Sequence, residues 1–528
     1  MNERKRQIEA GETILGIELG STRIKAVLID SHNEPIAQGG HTWENQLIDG
    51  VWTYSLESVE KGLQESFKSL SEDVQAHYGV VLRKTKALAV SAMMHGYLVF
   101  DNEDNLLVPF RTWRNTMTEV AAEKLSLLFD YPVPERWSIS HLYQAILNEE
   151  EHVPKIAKIT TLSGYVHYRL TGKHVLGIGD ASGMFPINPH TKGYEQGMLE
   201  KFADLHTHPW TLETLLPPPL VAGEEAGVLT KEGARFLDPS GTFEAGVPLA
   251  PPEGDAGTGM VATNSVAQRT GNVSAGTSVF AMIVLEEELS RSYNKFIDLV
   301  TTPDGSLVAM SHANNCTGEY DAWVGLFDEV LQSMGHTVNK GELYDVLLGK
   351  ALEGDLDGGG LLAYNYLSGE TMTELYEGRP LFVRKAESSF TLANFMRTQL
   401  YTALGVLRIG MDILFEEENV QIDSITGHGG FFKTAVVGQK MMASALHTPI
   451  ATLKSAGEGG AWGIALLASY LVNKKGLTLA QFLDEEVFSG AEKVIVEPTP
   501  EEIEGFNTFM IRYKEGLGIE KAAVEYLP

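Results

Sequence analysis

Short apolar runs alternate along the chain with longer stretches in which apolar side chains recur every three or four positions. The runs have the length of strands, and the recurring spacing is that of one face of a helix. Helices are predicted over residues 56–70, 119–128 and 392–414. The helix predicted over residues 392–414 has the most regular spacing of apolar residues. A stripe of side chains facing the core explains all of these apolar positions without a cofactor. Alternating strands and helices predict α/β domains.

Two apolar runs are interrupted by small residues in a way that predicts β-hairpins. The first hairpin covers residues 14–30, and its turn consists of Gly20, Ser21 and Thr22. The second has a turn that contains Gly276 and Thr277 and is followed by the apolar run 279–284. Exposed backbone N–H groups in such turns can cradle phosphate oxygens. Glu18, near the end of the first strand, can hold a hydrated magnesium ion beside them.

Asp255 lies among residues too small to block the approach of a substrate hydroxyl, namely Gly254, Ala256 and Gly257. A carboxylate placed in this way can accept a proton late in a loose phosphoryl-transfer transition state, so Asp255 is a candidate catalytic base. The alternative is a plain turn, since Asp is common in Gly/Pro-rich segments. The Gly/Pro-rich segment 246–259 is also the predicted domain boundary, which would put Asp255 at a hinge or at the floor of a cleft.

A further glycine cluster, which includes Gly429 and Gly430, follows the apolar residues 422–425 and precedes a predicted helix. A nucleotide can approach the backbone closely at such a place, although a plain strand-to-helix turn explains the same residues. The chain has no Gly-x-x-x-x-Gly-Lys-Ser/Thr segment, so phosphate binding by a P-loop is disfavoured.

Length and composition narrow the class of protein. A chain of 528 residues exceeds what one core usually supports, so two domains are expected. A formal net charge of −29 disfavours nucleic acid as a partner, because phosphate backbones would be repelled. The single cysteine, Cys316, cannot form an internal disulfide. No signal peptide or membrane-spanning segment is recognisable, so a soluble, cytoplasmic protein without a membrane partner is expected.

These motifs together resemble the FGGY carbohydrate kinases over nearly the whole chain. The matching segments, in order, are Gly16 to Asp30, Met94-His95-Gly96, Tyr165 to Gly172, Asp180 to Gly183, Asp255, Gly276 to Ser278, Leu367 to Glu370, Thr426 to Gly430, and Ala456 to Gly463. The resemblance implies two ribonuclease-H-like domains of the actin, hexokinase and Hsp70 type around a central cleft. Residues 1–258 would bind the sugar and carry the base, and residues 259–528 would bind the nucleotide.

The resemblance also implies an activity, which is ATP-dependent phosphorylation of a small sugar hydroxyl, with a ketopentose such as xylulose as the expected substrate. Asp255 would be the general base. The sugar would contact Met94, His95, Asn115 and Asp255. ATP would contact Gly20, Ser21, Thr22, Gly276, Thr277, Gly429 and Gly430, with Gly20, Ser21 and Thr22 reaching the γ-phosphate as the domains close. Glu18 would bind Mg²⁺, and a homodimer is possible because members of the family are often dimers.

Departures from the family pattern bear on metal and substrate. Glu18 stands where the family usually has aspartate, and residues 111–117 replace a Trp-Asn-Asp-Gly-Arg stretch without keeping its acid or its arginine. Met93 stands where xylulokinases commonly have glutamine. The alternatives are therefore a kinase for another sugar, polyol or sugar acid (ribulose, gluconate or glycerol), an actin-like or Hsp70-like ATPase, and a catalytically silent sugar sensor.

Overall fold

The computed structural model describes residues 3–453 and 459–527, which fold into two compact units. Unit 1 contains residues 3–266, 299–308 and 459–490. Unit 2 contains residues 267–298, 309–453 and 491–527. Each unit is thus built from separate stretches of the chain. The division of roles between residues 1–258 and 259–528 stays a prediction.

Within the described ranges the strands, in chain order, are β1 (Ile14–Leu19), β2 (Arg23–Ile29), β3 (Pro35–Thr42), β4 (Gln46–Ile48), β5 (Val51–Thr53), β6 (Ala87–Ala92), β7 (Leu98–Phe100), β8 (Lys158–Thr160), β9 (Leu176–Gly177), β10 (Pro219–Leu220), β11 (Gly227–Val228), β12 (Pro248–Leu249), β13 (Glu253–Gly254), β14 (Thr270–Ala275), β15 (Val279–Val284), β16 (Asp298–Thr301), β17 (Leu307–Ala313), β18 (Leu362–Tyr364), β19 (Leu381–Val383), β20 (Ser424–His428), β21 (Ile450–Leu453) and β22 (Lys493–Val496).

The α-helices of the same ranges are α1 (Glu3–Ala10), α2 (Leu56–Tyr78), α3 (Glu119–Phe129), α4 (Ser138–Leu147), α5 (Leu162–Thr171), α6 (Ile178–Ala181), α7 (Gln196–Ala203), α8 (Leu212–Leu215), α9 (Lys231–Leu237), α10 (Asp255–Ala262), α11 (Gly318–Ser333), α12 (Lys340–Lys350), α13 (Leu392–Asp412), α14 (Val437–Leu446), α15 (Gly459–Asn473), α16 (Leu479–Phe482) and α17 (Pro500–Tyr526).

Unit 1 is organised around a mixed sheet in the order β11-β12-β6-β1-β2-β3, with β13 also paired to β6. Strand β1 runs antiparallel to β2 and parallel to β6. Because side chains alternate along a strand, Leu15, Ile17 and Leu19 enter a core that they share with α2 and α5. The intervening residues Gly16 and Glu18 face the opposite side of the sheet.

Helix α15 packs on that opposite side at very short range. A Cβ atom on Gly16 would lie 2.3 Å from the carbonyl oxygen of Ala461, so only glycine fits at this point of β1. A Cβ atom on Gly463 would lie 2.1 Å from the carbonyl oxygen of Thr258, so α15 is equally close to α10. This close approach brings the first turn of α15 beside Glu18.

Unit 2 contains a second mixed sheet, in which β17, β15, β14, β20, β21 and β22 are neighbours in that order. Strand β14 is antiparallel to β15 and parallel to β20, and β20 is parallel to β21. The carboxyl ends of β14, β20 and β21 therefore lie at one edge of the sheet. Helices α13, α14 and α17 pack against one another, and α14 also contacts β21.

The structure confirms the predicted α/β class and the elements on which it rested. Both predicted hairpins form, as β1–β2 and β14–β15. The three predicted helices are α2, α3 and α13; α2 begins after the N-cap Ser55 and ends at Gly79, which has a φ of 65°. The predicted strand around 422–425 is shifted, because β20 runs on to His428. Among the described residues, no helix is long and apolar enough to cross a bilayer.

Candidate active site

Asp255 is the first residue of α10, directly after the short strand β13. Its Oδ1 accepts a hydrogen bond of 3.0 Å from the backbone N–H of Met94, which follows β6. The side chain is exposed, although protein atoms crowd it enough that desolvation raises its pKa; backbone N–H groups, that of Met94 first, oppose the rise. A carboxylate at a helix N-terminus is favoured by the helix dipole. Asp255 is therefore held in place, accessible, and more basic than an ordinary aspartate.

His95 lies beside Asp255's partner Met94, in a backbone conformation with a φ of 70°. Its Nδ1 donates to the carbonyl of Gly183 at 3.2 Å, and its Nε2 accepts from Nε of Arg136 at 3.2 Å. Burial, together with the nearby Arg136 charge, lowers the pKa of His95 to about 3. The imidazole is thus neutral, and both of its nitrogens are engaged with the protein. Its contact with a sugar stays a prediction.

Asn115 is 3% exposed and serves as a tether for the segment that follows β7. Its Oδ1 accepts from the N–H of Trp52 at 2.9 Å, and its Nδ2 donates to the carbonyls of Trp52 and Thr112. These bonds to the backbone use both ends of the carboxamide. A direct hydrogen bond from Asn115 to a sugar, which stays a prediction, would have to compete with them.

Glu18 points at the N-terminal turn of α15. Its Oε2 accepts from the N–H of Ala461 at 3.2 Å, and a Cβ atom on Gly460 would lie 2.2 Å from its Oε1. Burial first, and the nearby charge of Asp255 second, raise the pKa of Glu18 to about 7, although the charge of Lys25 and the N–H of Ala461 oppose the rise. A bound cation would relieve the repulsion between the carboxylates of Glu18 and Asp255.

The donor chemistry around Glu18 suits magnesium. Mg²⁺ is usually held by one or two carboxylates together with water and substrate phosphates, so Glu18 is an adequate protein contribution. Within residues 3–453 and 459–527, three or more His, Cys, Asp or Glu side chains nowhere cluster as a metal cage.

Two fully buried acids, Glu253 and Asp180, interact with Asp255's surroundings; the sequence assigned neither a role, although Asp180 begins one of the segments that resemble the family. Glu253 accepts the backbone N–H groups of Gly179 and Asp180 at 3.2 and 2.9 Å, and so fixes the start of α6. Asp180 accepts hydroxyl donors from Thr161 and Ser163 at 2.7 and 2.5 Å through Oδ2, whereas its Oδ1 has no partner.

Burial shifts the titration of both acids. Burial, with a smaller contribution from the charge of Asp255, raises the pKa of Asp180 to about 7, although the hydrogen bonds from the Ser163 and Thr161 hydroxyls lower it. Burial raises the pKa of Glu253 to about 8, with a contribution from Asp180. An acid two residues before a candidate base, in an otherwise apolar and glycine-rich run, is the sequence signal that could have identified Glu253. Asp180 carries no comparable signal.

The Gly20–Thr22 turn is held through its carbonyl groups. Nε1 of Trp43 donates to the Gly20 carbonyl at 2.7 Å, and the Tyr54 hydroxyl donates to the Ser21 carbonyl at 2.6 Å. The backbone N–H of Trp43 donates to the Thr22 carbonyl at 3.2 Å. Because its carbonyls are bound from within unit 1, the turn is fixed while Thr22 remains exposed. Neither aromatic anchor was recognised in the sequence.

Unit 2 brings its predicted nucleotide residues together at one sheet edge. Ser274 pairs with His428, so the turn at Gly276 and Thr277 is adjacent to Gly429 and Gly430. The Thr277 and Gly276 carbonyls accept the N–H groups of Cys316 and Thr317, which precede α11. Thr277, Gly429 and Gly430 are exposed. The glycine motif from Ala456 lies partly outside the described residues, and its described part, from Gly459, belongs to α15 of unit 1.

Comparison with known proteins identifies the family. The N-terminal domain model of the FGGY family of carbohydrate kinases matches residues 13–261, and the C-terminal domain model matches residues 271–472. A xylulose kinase from Haemophilus influenzae is 21% identical over 515 residues, which cover 94% of this chain and 98% of that relative.

Solved structures share the fold over nearly the whole length. A gluconate kinase from Lactobacillus acidophilus has a TM-score of 0.79 at 18% identity, covering 96% of this chain and 98% of its own. A xylulose kinase from the same organism has a TM-score of 0.77 at 18% identity, covering 98% and 99%. Both domain models match in order and together cover most of the chain, so this protein belongs to the FGGY family of carbohydrate kinases.

Proposed function

We propose that this kinase transfers a phosphoryl group from ATP to a hydroxyl of a ketopentose, with xylulose as the leading candidate, and that Asp255 is the general base. The observation that carries the proposal is the position of the Asp255 carboxylate. It is fixed by the N–H of Met94 and exposed to solvent, whereas Glu253 and Asp180 are fully buried and Glu18 is only half-exposed. The relative from Haemophilus influenzae, named a xylulose kinase, supports the choice of sugar.

The sugar binds beside Met94 and Asp255, in a pocket whose shape depends on His95 and Asn115. His95 contributes by fixing the Met94–Gly96 loop through Gly183 and Arg136. Asn115 contributes by fixing the neighbouring segment to Trp52. Contacts of this kind keep a substrate hydroxyl within reach of the base, which is a main source of rate enhancement in phosphoryl transfer.

ATP is bound through backbone amides rather than through a cluster of basic side chains. Thr277, Gly429 and Gly430 supply exposed main chain at one edge of the unit 2 sheet. Gly276 is half-exposed, and its N–H donates to the Ser278 carbonyl and shapes the turn. In the Gly20–Thr22 turn, the N–H of Gly20 donates to the Arg23 carbonyl at 3.0 Å, and Ser21 and Thr22 supply the amides for the transferred phosphate. Trp43 and Tyr54 fix this turn through its carbonyl groups.

Glu18 is the residue that would hold Mg²⁺, beside Asp255. When bound, the ion neutralises charge on the phosphate oxygens. The task of Glu18 itself is to keep a carboxylate at the N-terminal turn of α15, where it is bonded to Ala461. The task of Asp255 is to take the proton of the sugar hydroxyl as the phosphoryl group arrives.

The test is ADP release by the purified protein with ATP and magnesium, alone and with each of D-xylulose, D-ribulose, D-gluconate and glycerol. Turnover that depends on xylulose supports the proposal. Turnover that depends on gluconate instead would support the proposed kinase activity but replace xylulose as the substrate. Gluconate is included because one of the similar structures is a gluconate kinase. Equal ATP hydrolysis without any sugar would reject it in favour of an ATPase, and no turnover with any compound would favour a sensor.

A further inference from the structure

The sheet of unit 2 ends in a strand with an open edge. Strand β22 is the last in the order β17-β15-β14-β20-β21-β22, and it pairs antiparallel with β21. Within the described ranges 3–453 and 459–527, no other strand pairs with it. An open edge presents N–H and C=O groups that can pair with a further strand. The proposed sugar, metal and ATP contacts give this edge no role.

The orientation of β21 follows from its bond to β20. The N–H of Ile425 in β20 donates to the carbonyl of Pro449 at 3.1 Å, so the backbone groups of Pro449 face β20. Backbone groups alternate in direction along a strand. The groups of Ile450 and Thr452 therefore face the other way, towards β22.

The register between β21 and β22 then fixes which backbone groups of β22 are already bonded. Ile450 lies opposite Val496, and Thr452 lies opposite Val494. These are the hydrogen-bonded pairs of the ladder, so both valines direct their N–H and C=O groups at β21. The residues whose backbone groups point away from the sheet are the alternate ones, Lys493, Ile495 and Glu497.

The outer edge is apolar at its centre and charged at its ends. Val494 and Ile495 are each 53% exposed. Lys493 and Glu497 are also exposed, and in the part of the chain that the structure describes neither has an ion pair. Glu497 precedes Pro498, which favours an extended backbone, so the edge continues as far as Glu497.

This edge is complementary to itself. When two copies run antiparallel with a two-fold axis at Ile495, Lys493 lies opposite the partner's Glu497, and Glu497 lies opposite the partner's Lys493. Ile495 then lies opposite the partner's Ile495. All three pairs are of the hydrogen-bonded kind, because they use the backbone groups that point outward. Opposite charges at directly opposed positions stabilise a strand pair.

No other antiparallel register of this edge matches the charges. An axis at Lys493 opposes two lysines, and an axis at Glu497 opposes two glutamates, which is destabilising. An axis at Val494 or Val496 sets both charges opposite uncharged residues. A lysine on an edge strand usually discourages pairing. Here Lys493 has a matching acid on the other side of the axis, so the charge pattern selects the register with its axis at Ile495.

From the open edge, its outward backbone groups and its matched charges, we propose that this protein forms a symmetric dimer in which β22 pairs with β22 of a second copy. The two unit 2 sheets then form one continuous sheet across the two-fold axis. The pairing supplies about six backbone hydrogen bonds, two for each opposed pair, and an ion pair at either end. The dimer does not rest on the proposed function, because it involves neither the sugar nor ATP.

Sedimentation equilibrium of the full-length protein at micromolar concentration, without sugar or ATP, tests the dimer. The mass should be about twice 57.8 kDa. Lys493→Glu and Glu497→Lys each put like charges opposite each other at both ends, so either change should weaken the dimer about tenfold or more. The double variant restores opposite charges, so its affinity should return to within about threefold of the wild type. Lys385→Glu, at an exposed position of unit 2 outside β22, is the matched control and should dimerise like the wild type.

Cysteine cross-linking tests the register, since the chain's own cysteine, Cys316, is buried. Ile495→Cys places a thiol opposite its own copy at a Cα separation of about 5.5 Å, which suits a disulfide. Val494→Cys, at an equally exposed position, lies opposite the partner's Val496, and its own copy is too far away for a disulfide. Oxidation with diamide should therefore link two chains of the first variant and not of the second.

Four results would overturn the proposal. They are a monomer at every concentration tested, single charge reversals that weaken the dimer no more than Lys385→Glu does, a double variant as weak as the single ones, and equal cross-linking of the two cysteine variants. Thermal melts of each variant separate loss of the dimer from loss of the fold.

Discussion

Replacing Asp180 by Asn should change how the stability of the protein depends on pH. Asp180 is fully buried, and burial raises its pKa from 3.8 to about 7. The folded protein therefore keeps this proton up to about pH 7, while the unfolded chain releases it near pH 4. The stabilisation is fully present below pH 4 and is lost as the pH rises through 7.

The size of the effect follows from the shift. Three pKa units correspond to about 4 kcal/mol, which is an upper limit for the contribution of this one group. Asn has no proton to release, so the free energy of unfolding of wild type, relative to Asp180→Asn, should fall by up to this amount between pH 4 and 7. For a unit of this size, the thermal midpoints should move relative to each other by up to roughly 8 °C.

The assay is thermal unfolding followed by tryptophan fluorescence, for wild type and Asp180→Asn, at half-unit steps from pH 4.5 to 8. Asp204→Asn, an exposed position in unit 1, controls for the loss of one acidic side chain. A difference between wild type and Asp180→Asn that is the same at every pH would refute the reasoning, because Asp180 would then not titrate in the folded protein as its burial requires.

Three further substitutions test other parts of the account. Glu18→Gln keeps an acceptor for the Ala461 N–H but loses the negative charge. The magnesium concentration for half-maximal activity should therefore rise at least about tenfold. An unchanged magnesium requirement would rule out Glu18 as a ligand. Gly16→Ala would put a methyl group 2.3 Å from a carbonyl oxygen of α15 and should cost about 1–3 kcal/mol in unfolding free energy, measured by denaturant titration; an unshifted midpoint would contradict the close packing. Gly429 has a φ of 102°, and a Cβ there would lie 2.3 Å from the Ala275 carbonyl, so Gly429→Ala should abolish ATP binding in calorimetry. At Gly430 the space is open, so Gly430→Ala should still bind ATP. Equal ATP binding by the two variants would argue against the turn geometry.

The hairpins and long helices were predictable because their signals are local. Strand β1 is a mainly apolar run, interrupted by Glu18 and ended by small residues, and α13 carries an apolar stripe along its whole length. Turn chemistry and side-chain periodicity act over a few residues, so one sequence suffices to read them. Asp255 became the candidate base for the same reason, from the small residues on either side of it, and its role stays a prediction.

The rest of the site depends on contacts between distant parts of the chain. Glu18 meets Ala461 across 443 residues, and His95 meets Gly183 across 88. No local pattern reports such pairs. Nor does any local pattern indicate that the carboxamide of Asn115 is used up by backbone bonds, since Asn is equally suited to binding a sugar.

The central claim, that Asp255 takes the proton during phosphoryl transfer, is tested most directly by the Asp255→Asn variant. Its kcat for phosphorylation of the preferred sugar should fall about 10²–10⁴-fold, because the amide cannot accept the proton. ATP binding, measured by calorimetry on the same preparation, should stay at the wild-type level. A variant that phosphorylates the sugar at nearly the wild-type rate would contradict the claim.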